Sequence, residues 1–309
     1  MSDLARLVVI LGPTASGKSA LGIELARRMG GEILVCDSTQ VYRHFDIGTA
    51  KVPPIEQRGI PHHLVDLVEP DEVFTAGRYR QRALEVLNDL RNRKKTPIIT
   101  AGTGLYLRAL LEGLADAPAR SEELRERLRE RAKRRGPVSL HRLLVRLDSE
   151  AASRIAPRDT QKIIRAIEIR ILAGKPVGEI YRRGRSPLQG YDVRKIGLLP
   201  PRARLYARIE SRVEAMMKTG WITEVRELIR SGVRADAKPF QFIGYSELRM
   251  QIDAGRDPAE ALSEIGQATR RFAKRQITWF RKEPAVSWFK GFGDDPEIIE
   301  FALKIAEAR

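Results

Sequence analysis

Cysteine is almost missing from this chain of 309 residues: Cys36 is the only one. A single thiol has no partner within the chain, which excludes a disulfide framework and suits a reducing compartment. Its place at the end of the apolar run EILVC predicts a buried strand residue and not a reactive group. Histidine is scarce as well, and His44, His62, His63 and His141 show no metal-ligand spacing, so a zinc site is not expected. No wholly apolar run exceeds about five residues, LVVIL being one, so no membrane span is expected. The N-terminus has no basic stretch followed by a cleavable apolar segment, and a cytoplasmic protein is expected. Internal repeats and low-complexity tracts are also lacking.

Acidic residues are in deficit. Lys and Arg number 56 against 40 Asp and Glu, a net charge of +16, and the sequence pI is near 10.2. That excess is the footprint of a polyanionic partner, although a basic surface serving solubility has the same composition. With 42% hydrophobic and 31% charged residues, the chain suits one large domain with an insertion, or two ordinary domains. Two further absences narrow the reading. No apolar run ends in the paired acids of a typical ATPase, and no Asn-Lys-x-Asp guanine reader occurs.

What is present begins with GPTASGKS: Gly12, Pro13, Thr14, Ala15, Ser16, Gly17, Lys18 and Ser19. It fits the phosphate-cradling pattern G-x-x-x-x-G-K-[ST], with an apolar strand before it and a helical pattern after it. Loop N–H groups and a helix N-terminus favour an anion there, Lys18 reaches terminal phosphates, and the Ser19 hydroxyl is suited to Mg²⁺. The pattern leaves open whose phosphates are bound.

Apolar runs alternate with helical patterns through residues 1–115, which predicts an α/β fold: a P-loop NTPase-like parallel sheet flanked by helices. Strands are expected at RLVVILG, GEILVCD and TPIITAG. Helices are expected over 19–29 and over YRQRALEVLNDLRNR, the latter with Ala83, Leu84, Leu87 and Leu90 inward. Residues 116–190 read as a helical insertion. SEELRERLRERAKRRG carries only the narrow stripe Leu124, Leu128 and Ala132, with its charges offset as Glu123–Arg127 and Glu130–Arg134. A better-packed helix over 160–172 stops at AGKP. After the linker-like RRGRSPLQGYD, VRKIGLLP resumes the strand signature, and 191–309 return to the core, mostly as helices.

In parallel sheets ligands bind beyond the carboxyl ends of the strands. Asp37, Ser38, Gln40 and Tyr42 follow the second strand, Thr103 follows the third, and Arg202, Arg204, Arg208 and Arg212 follow the returning strand. Each has a plain alternative: Asp37 as a cap, Thr103 satisfying its own loop, the arginines as solvated surface. Their convergence on one mouth favours chemistry, with Asp37 a candidate base or metal-shell group. A second feature is EIGQATRRFAKRQITWFRK. At about 100° per residue, Arg270, Arg271, Lys274, Arg275, Thr278, Arg281 and Lys282 share an arc of about 140°, without an acid. Ile265, Ala268, Phe272, Ala273, Ile277, Trp279 and Phe280 lie opposite, with Trp279 expected as a core anchor. A face of one sign fits phosphate-backbone contact better than solvation.

Together GPTASGKS, DSTQVY, FDIGTAKVP, GIPHHLVD, AGTGLYLRALLEGL, RDTQKIIRAIE, IGYSEL and KRQITWFRK resemble, in order, the bacterial tRNA dimethylallyltransferases. The resemblance covers nearly the whole chain. It implies transfer of a dimethylallyl group from dimethylallyl diphosphate to N6 of the adenosine just 3′ of the anticodon; Mg²⁺ at Ser19 is the expected cofactor. The P-loop then holds a prenyl diphosphate and not a nucleotide. The resemblance also implies that Asp37 is the base on the adenine amine and Thr103 assists it. It assigns tRNA contact to Arg125, to Asp37, Ser38, Thr39 and Gln40, and to Gln161, Lys162, Ile163, Ile164 and Arg165. The insertion becomes a clamp on the anticodon arm, and Arg208 or Arg212 joins Lys18 at the diphosphate. The expected state is a monomer. Ala101, where glycine is common, and FQFIGYSE depart from the family pattern, and neither touches a proposed catalytic group. A bacterial-type enzyme without the zinc finger of eukaryotic relatives is expected. The alternatives are prenylation of free adenine nucleotides, and a P-loop kinase or RNA-dependent ATPase.

Overall fold

The computed structural model describes residues 4–182 and 186–308. Residues 183–185, within the expected linker, lie outside them. The chain divides into two compact units, Met1–Leu110 with Gln189–Arg309, and Leu111–Leu188.

In the first unit, β1 (Ala5–Leu11) leads through the P-loop into α1 (Lys18–Met29). The helix ends at Gly30, whose left-handed conformation turns the chain directly into β2 (Gly31–Cys36). A two-residue strand, β3 (His62–His63), precedes α2 (Ala76–Asn92), β4 (Thr96–Ala101) and α3 (Gly104–Leu111). The Thr75 hydroxyl caps α2 by accepting from the Arg78 amide at 3.2 Å. Tyr79, Ala83, Leu87 and Leu90 face inward from α2, whereas Leu84, expected with them, is only partly buried.

The second unit is helical: α4 (Glu122–Arg135), α5 (Pro137–Leu147), α6 (Ser149–Ser153), α7 (Thr160–Ala173) and α8 (Val177–Arg182). Ser121, Asp148 and Asp159 cap α4, α6 and α7 through side-chain oxygens. Its core is formed by Leu128, Leu140, Leu144, Ile163, Ile167 and their neighbours. On α4, Arg129 pairs with Glu122 and Glu126, a different pairing from the expected Glu123–Arg127 and Glu130–Arg134.

The first unit resumes with β5 (Tyr191–Leu198), α9 (Arg202–Lys218), α10 (Trp221–Arg230), α11 (Tyr245–Asp253), α12 (Leu262–Phe280), β6 (Val286–Phe289) and α13 (Pro296–Glu307). The six strands form one sheet in the order β3-β2-β4-β1-β5-β6, every pair parallel. β1 and β2 are almost wholly buried, the pattern of strands covered on both faces. α1 and α13 pack on one face through Leu21, Leu25, Ala302 and Leu303. A separate core joins α9 to α12 around Trp221, Tyr245 and Phe45. β3 and β6 were not expected from the sequence; both are short and lie at the sheet edges.

Register positions the site. Leu11 pairs with Ala101 and Gly197, and Cys36 also pairs with Ala101, so four strands stop at one level. The loops beginning at Gly12, Asp37, Gly102 and Leu199 therefore emerge side by side. Among the described residues no helix is long and apolar enough to cross a membrane.

Candidate functional site

The loop after β1 is held in a conformation that demands its glycines. Gly12 has φ of 157°, and a Cβ there would stand 2.8 Å from the Leu198 carbonyl oxygen and 2.9 Å from Ser16 Oγ. Gly17 has φ of 87°, and a Cβ there would meet Asp294 Oδ1 and the Gly293 amide, both at 2.7 Å. Gly17 is also the N-cap of α1 and supplies no side-chain cap. The first N–H groups of α1 are thereby available to an anion, assisted by the helix dipole. Ser16 is 1% exposed, and its hydroxyl has no hydrogen-bond partner among the described residues. Lys18 Nζ donates to the Pro13 carbonyl at 2.8 Å across the loop. Pro13, Thr14 and Ala15 complete the turn, Ala15 with φ of 61°.

Burial lowers the Lys18 ammonium to about 8; Asp37 works against that fall and Arg212 adds to it. Burial also lowers Arg212, with Arg208 acting in the same direction and Asp37 opposing. Lys18, Arg212 and Asp37 are thus within electrostatic reach of one another. Arg208 is held at the edge of the cradle: it donates to both oxygens of Asp294, the carboxylate beside Gly17, at 2.7 and 3.0 Å, and stacks over Phe292. Arg204 also covers Phe292, and Arg202 lies over Tyr206. Of the four arginines, Arg212 is the one gathered with the loop lysine and the aspartate.

Asp37 heads a compact turn. Its Oδ1 accepts from the Thr39 amide at 2.8 Å and the Thr39 hydroxyl at 2.7 Å. Oδ2 lies against Gly102, where a Cβ would sit 2.3 Å away, and accepts no hydrogen bond from any described residue. Thr103 Oγ1 accepts from the Ser38 amide at 2.9 Å and donates to Ser38 Oγ at 3.1 Å. The Gly102 and Thr103 amides both donate to the Cys36 carbonyl, at 3.0 Å. Asp37 and Thr103 are therefore locked together with one carboxylate oxygen left for a proton. Gln40 uses its amide to hold the Thr49 and Ala50 carbonyls at 2.9 and 3.2 Å. Burial pushes the Cys36 thiol up to about 12, leaving it an inert strand residue.

Several expectations change. Ile163 and Ile164 are buried in the second unit's core, because α7 turns them inward, so their side chains do not meet RNA. Gln161 and Lys162 are exposed. Arg125 donates to both oxygens of the fully buried Glu168 at 2.8 Å, and Arg165 donates to Oε2 of the same carboxylate, which takes up both guanidiniums within the fold. Burial alone would raise Glu168, but Arg125, Arg165 and the Ser121 amide overcome it and bring the carboxyl to about 2.

On α12 the basic face is not free of acid: Arg270 binds Glu210 of α9. Lys274, Arg275 and Arg281 are exposed and pair with no acid among the described residues. Trp279 is no core anchor. It is 37% exposed, packs against Gly104 and lies 4.9 Å beneath the Arg108 guanidinium. Sequence reasoning passed over Gln276, which is 6% exposed and bonds both to the P-loop and to the loop after β4. Its signal was present, since it falls within about 20° of Ile265 and about 40° of Phe280 on the apolar face.

Residues 40–283 match the family described as IPP transferase. A tRNA dimethylallyltransferase of Solibacter usitatus is 49% identical over 297 residues, 96% of each chain. One from Koribacter versatilis is 49% identical over 305 residues, 99% of each chain. Among solved structures, the full-length tRNA isopentenylpyrophosphate transferase from Bacillus halodurans is similar with a TM-score of 0.71 and 36% identity, over 97% of this chain and 95% of its own. A eukaryotic dimethylallyltransferase acting on tRNA gives a TM-score of 0.77 at 27% identity, over 89% of this chain and 70% of its own. The cradle, the aspartate–threonine pair and these likenesses agree: the chain belongs to the IPP transferase family of tRNA dimethylallyltransferases.

Proposed function

We propose that this chain transfers the dimethylallyl group of dimethylallyl diphosphate to N6 of the adenosine 3′ of the anticodon in tRNA, releasing diphosphate. The observation that carries this reading is an anion cradle shaped by Gly12 and Gly17 and spanned by Lys18, with Asp37 within electrostatic reach and its Oδ2 lying against Gly102. In the reaction N6 attacks C1 of the prenyl group, the C1–O bond breaks with its electron pair, and the N6 proton passes to Asp37 Oδ2. An adenine amine is a poor nucleophile, and a placed carboxylate contributes roughly 10²–10⁴-fold. Thr103 holds the Ser38 backbone beside Asp37 and presents its hydroxyl to the adenine. Lys18, the loop amides and Arg212 neutralise the charge that builds on the departing diphosphate.

Mg²⁺ fits this donor set. Ser19 is exposed at the second position of α1, and among the described residues no three His, Cys, Asp or Glu side chains gather to hold a metal. Ser19, diphosphate oxygens and water make the hard-oxygen shell that Mg²⁺ prefers. When bound, the ion supplies further charge neutralisation at the leaving group.

The tRNA anticodon arm is the polyanion for the +16 charge, met by Lys274, Arg275 and Arg281 and by the exposed Gln161 and Lys162. We take the active form as a monomer working in the cytoplasm, where tRNA is found. Labelled dimethylallyl diphosphate incubated with unmodified tRNA and AMP together, and labelled ATP incubated with unmodified tRNA, test the reading. Label from the prenyl donor should enter tRNA as N6-dimethylallyladenosine. Label entering free adenine nucleotides, or ATP hydrolysis stimulated by tRNA without prenyl transfer, would overturn it.

A further inference from the structure

We infer that Gln276 is a positioning residue that sets the distance between the prenyl donor and its acceptor. The inference rests on the reading of the site as a prenyl-diphosphate cradle facing Asp37. Gln276 Oε1 accepts from the Thr14 amide of the P-loop at 2.7 Å, and Nε2 donates to the Gly102 carbonyl at 2.8 Å. Gly102 is the residue against which Asp37 Oδ2 lies, and Thr103 follows it. One side chain therefore joins the loop that cradles diphosphate to the loop that backs the base.

Chemistry makes this junction specific. Thr14 offers a donor and Gly102 an acceptor, so the bridging group must accept at one end and donate at the other. A primary amide does both, and its two partners fix which atom is oxygen and which is nitrogen. Asparagine is a methylene too short. Glutamate at neutral pH has two acceptors and would face the Gly102 carbonyl with charge. Methionine matches the length with neither function. At 6% exposure, an unmade bond here is not replaced by bulk water. Gln276 touches neither phosphate nor adenine in this reading, so its effect must pass through the two backbones it ties. Reacting atoms have to meet at about 3–3.5 Å, and a shift of about 1 Å is enough to cost 10²-fold in rate.

The test separates positioning from folding and from substrate binding. Wild type, Gln276→Met and Gln276→Glu are compared in single-turnover transfer from dimethylallyl diphosphate to unmodified tRNA. The equilibrium Kd of each substrate and the melting temperature are measured alongside. For Gln276→Met we expect the transfer rate to fall roughly ten- to hundredfold, with both Kd values within about threefold of wild type. Gln276→Glu has a more telling signature. A protonated carboxyl accepts and donates as the amide does, and burial raises its pKa. The ratio of variant to wild-type rate should therefore climb as pH falls from 8 to 5.5, while a merely structural lesion gives a flat ratio. An unchanged transfer rate in Gln276→Met overturns the inference, as does a rate loss matched by lost donor affinity. Where Gln276→Met fails to fold, a flat pH ratio in Gln276→Glu overturns it alone. Failure of the wild type to transfer the prenyl group instead overturns the reading of the site.

Discussion

At the scale of single residues, the site is an electrostatic balance around Lys18. Its ammonium sits at about 8, below the ordinary 10.5, because burial disfavours charge and Arg212 repels it. The folded protein thus binds that proton less tightly than the unfolded chain. Between pH 8 and 10.5 the unfolded state carries more of it, so this group makes stability rise with pH across that window. Donor binding has the opposite sense. A diphosphate on the P-loop holds Lys18 charged, so above pH 8 binding must take up a proton. Donor affinity should be insensitive to Lys18 below pH 8 and weaken by up to about tenfold per pH unit above it. Calorimetry in buffers of differing ionisation enthalpy should register the proton uptake, and an affinity level to pH 9.5 would contradict it. For Asp37→Asn the carboxylate's shape survives but its basicity does not. Single-turnover transfer should drop by about 10² or more, with both substrates still bound. Transfer at near wild-type rate would reduce Asp37 to the cap of its turn, the role its Oδ1 already fills for Thr39.

At the scale of elements, α12 has two jobs on two faces. The buried face bonds the site through Gln276, and the exposed face carries Lys274, Arg275 and Arg281. Each cation that meets an RNA phosphate should contribute roughly 0.7–0.9 to the slope of log affinity against log salt. Gln at Lys274, Arg275 or Arg281 should flatten the slope by that amount, for all tRNA sequences alike. Arg270→Gln should change it less, since Glu210 already holds that guanidinium. Salt-titrated binding checks the contrast, and equal effects at all four positions would mean that the Glu210 pair opens on binding. In the second unit, Arg125 of α4 ties that helix to Glu168 of α7, whose carboxylate also pairs with Arg165 one turn earlier on α7. Glu168→Ala strands two guanidiniums and should cost about 2–4 kcal/mol of stability, since both arginines keep some water. The carboxyl is held at about 2, below its unfolded value, so its contribution is present above pH 4.5 and lost as pH falls toward 2. Urea unfolding at pH 7 and at pH 3 measures both effects. A Glu168→Ala protein as stable as wild type at pH 7 would dismiss the triad as a surface ornament.

For the whole molecule, the decisive feature is that the sheet unit is made of two separated stretches of chain. The ends of the inserted unit meet, with the Leu188 amide donating to the Leu111 carbonyl at 2.9 Å. A short glycine linker replacing residues 112–187 should therefore leave the sheet, the P-loop and Asp37 in register. The shortened protein should fold cooperatively and retain dimethylallyl diphosphate binding within a few fold. It should lose tRNA affinity, because Gln161 and Lys162 go with the insertion. Thermal denaturation, donor titration and tRNA titration of this protein check the three parts, and unchanged tRNA binding would remove the insertion from the RNA surface.

By itself the sequence determined whatever rests on short-range physics. The P-loop declares itself because glycine at 12 and 17, an apolar strand before and a helix start behind are all local requirements. Buried parallel strands follow from LVVIL and EILVC, and Asp37 and Thr103 could be assigned to strand ends from position alone. The family resemblance added the substrate, which no local pattern encodes. Tertiary structure decided which side chains meet. Thr14 and Gln276 are 262 residues apart, Arg208 and Asp294 86 apart, and Arg270 and Glu210 60 apart. A helical wheel reports a face but not its neighbour, so Arg270 looked unopposed and Gln276 drew no reading at all. Ile163 and Ile164 sat in a motif tied to RNA, yet packing turned them inward. β3 and β6 escaped notice because strands of two and four residues carry too little periodicity to read. Their ladders to β2 and β5 are what make them strands. Local sequence fixes each segment's preference at short range, whereas partners far apart in the chain are chosen only when the whole core closes.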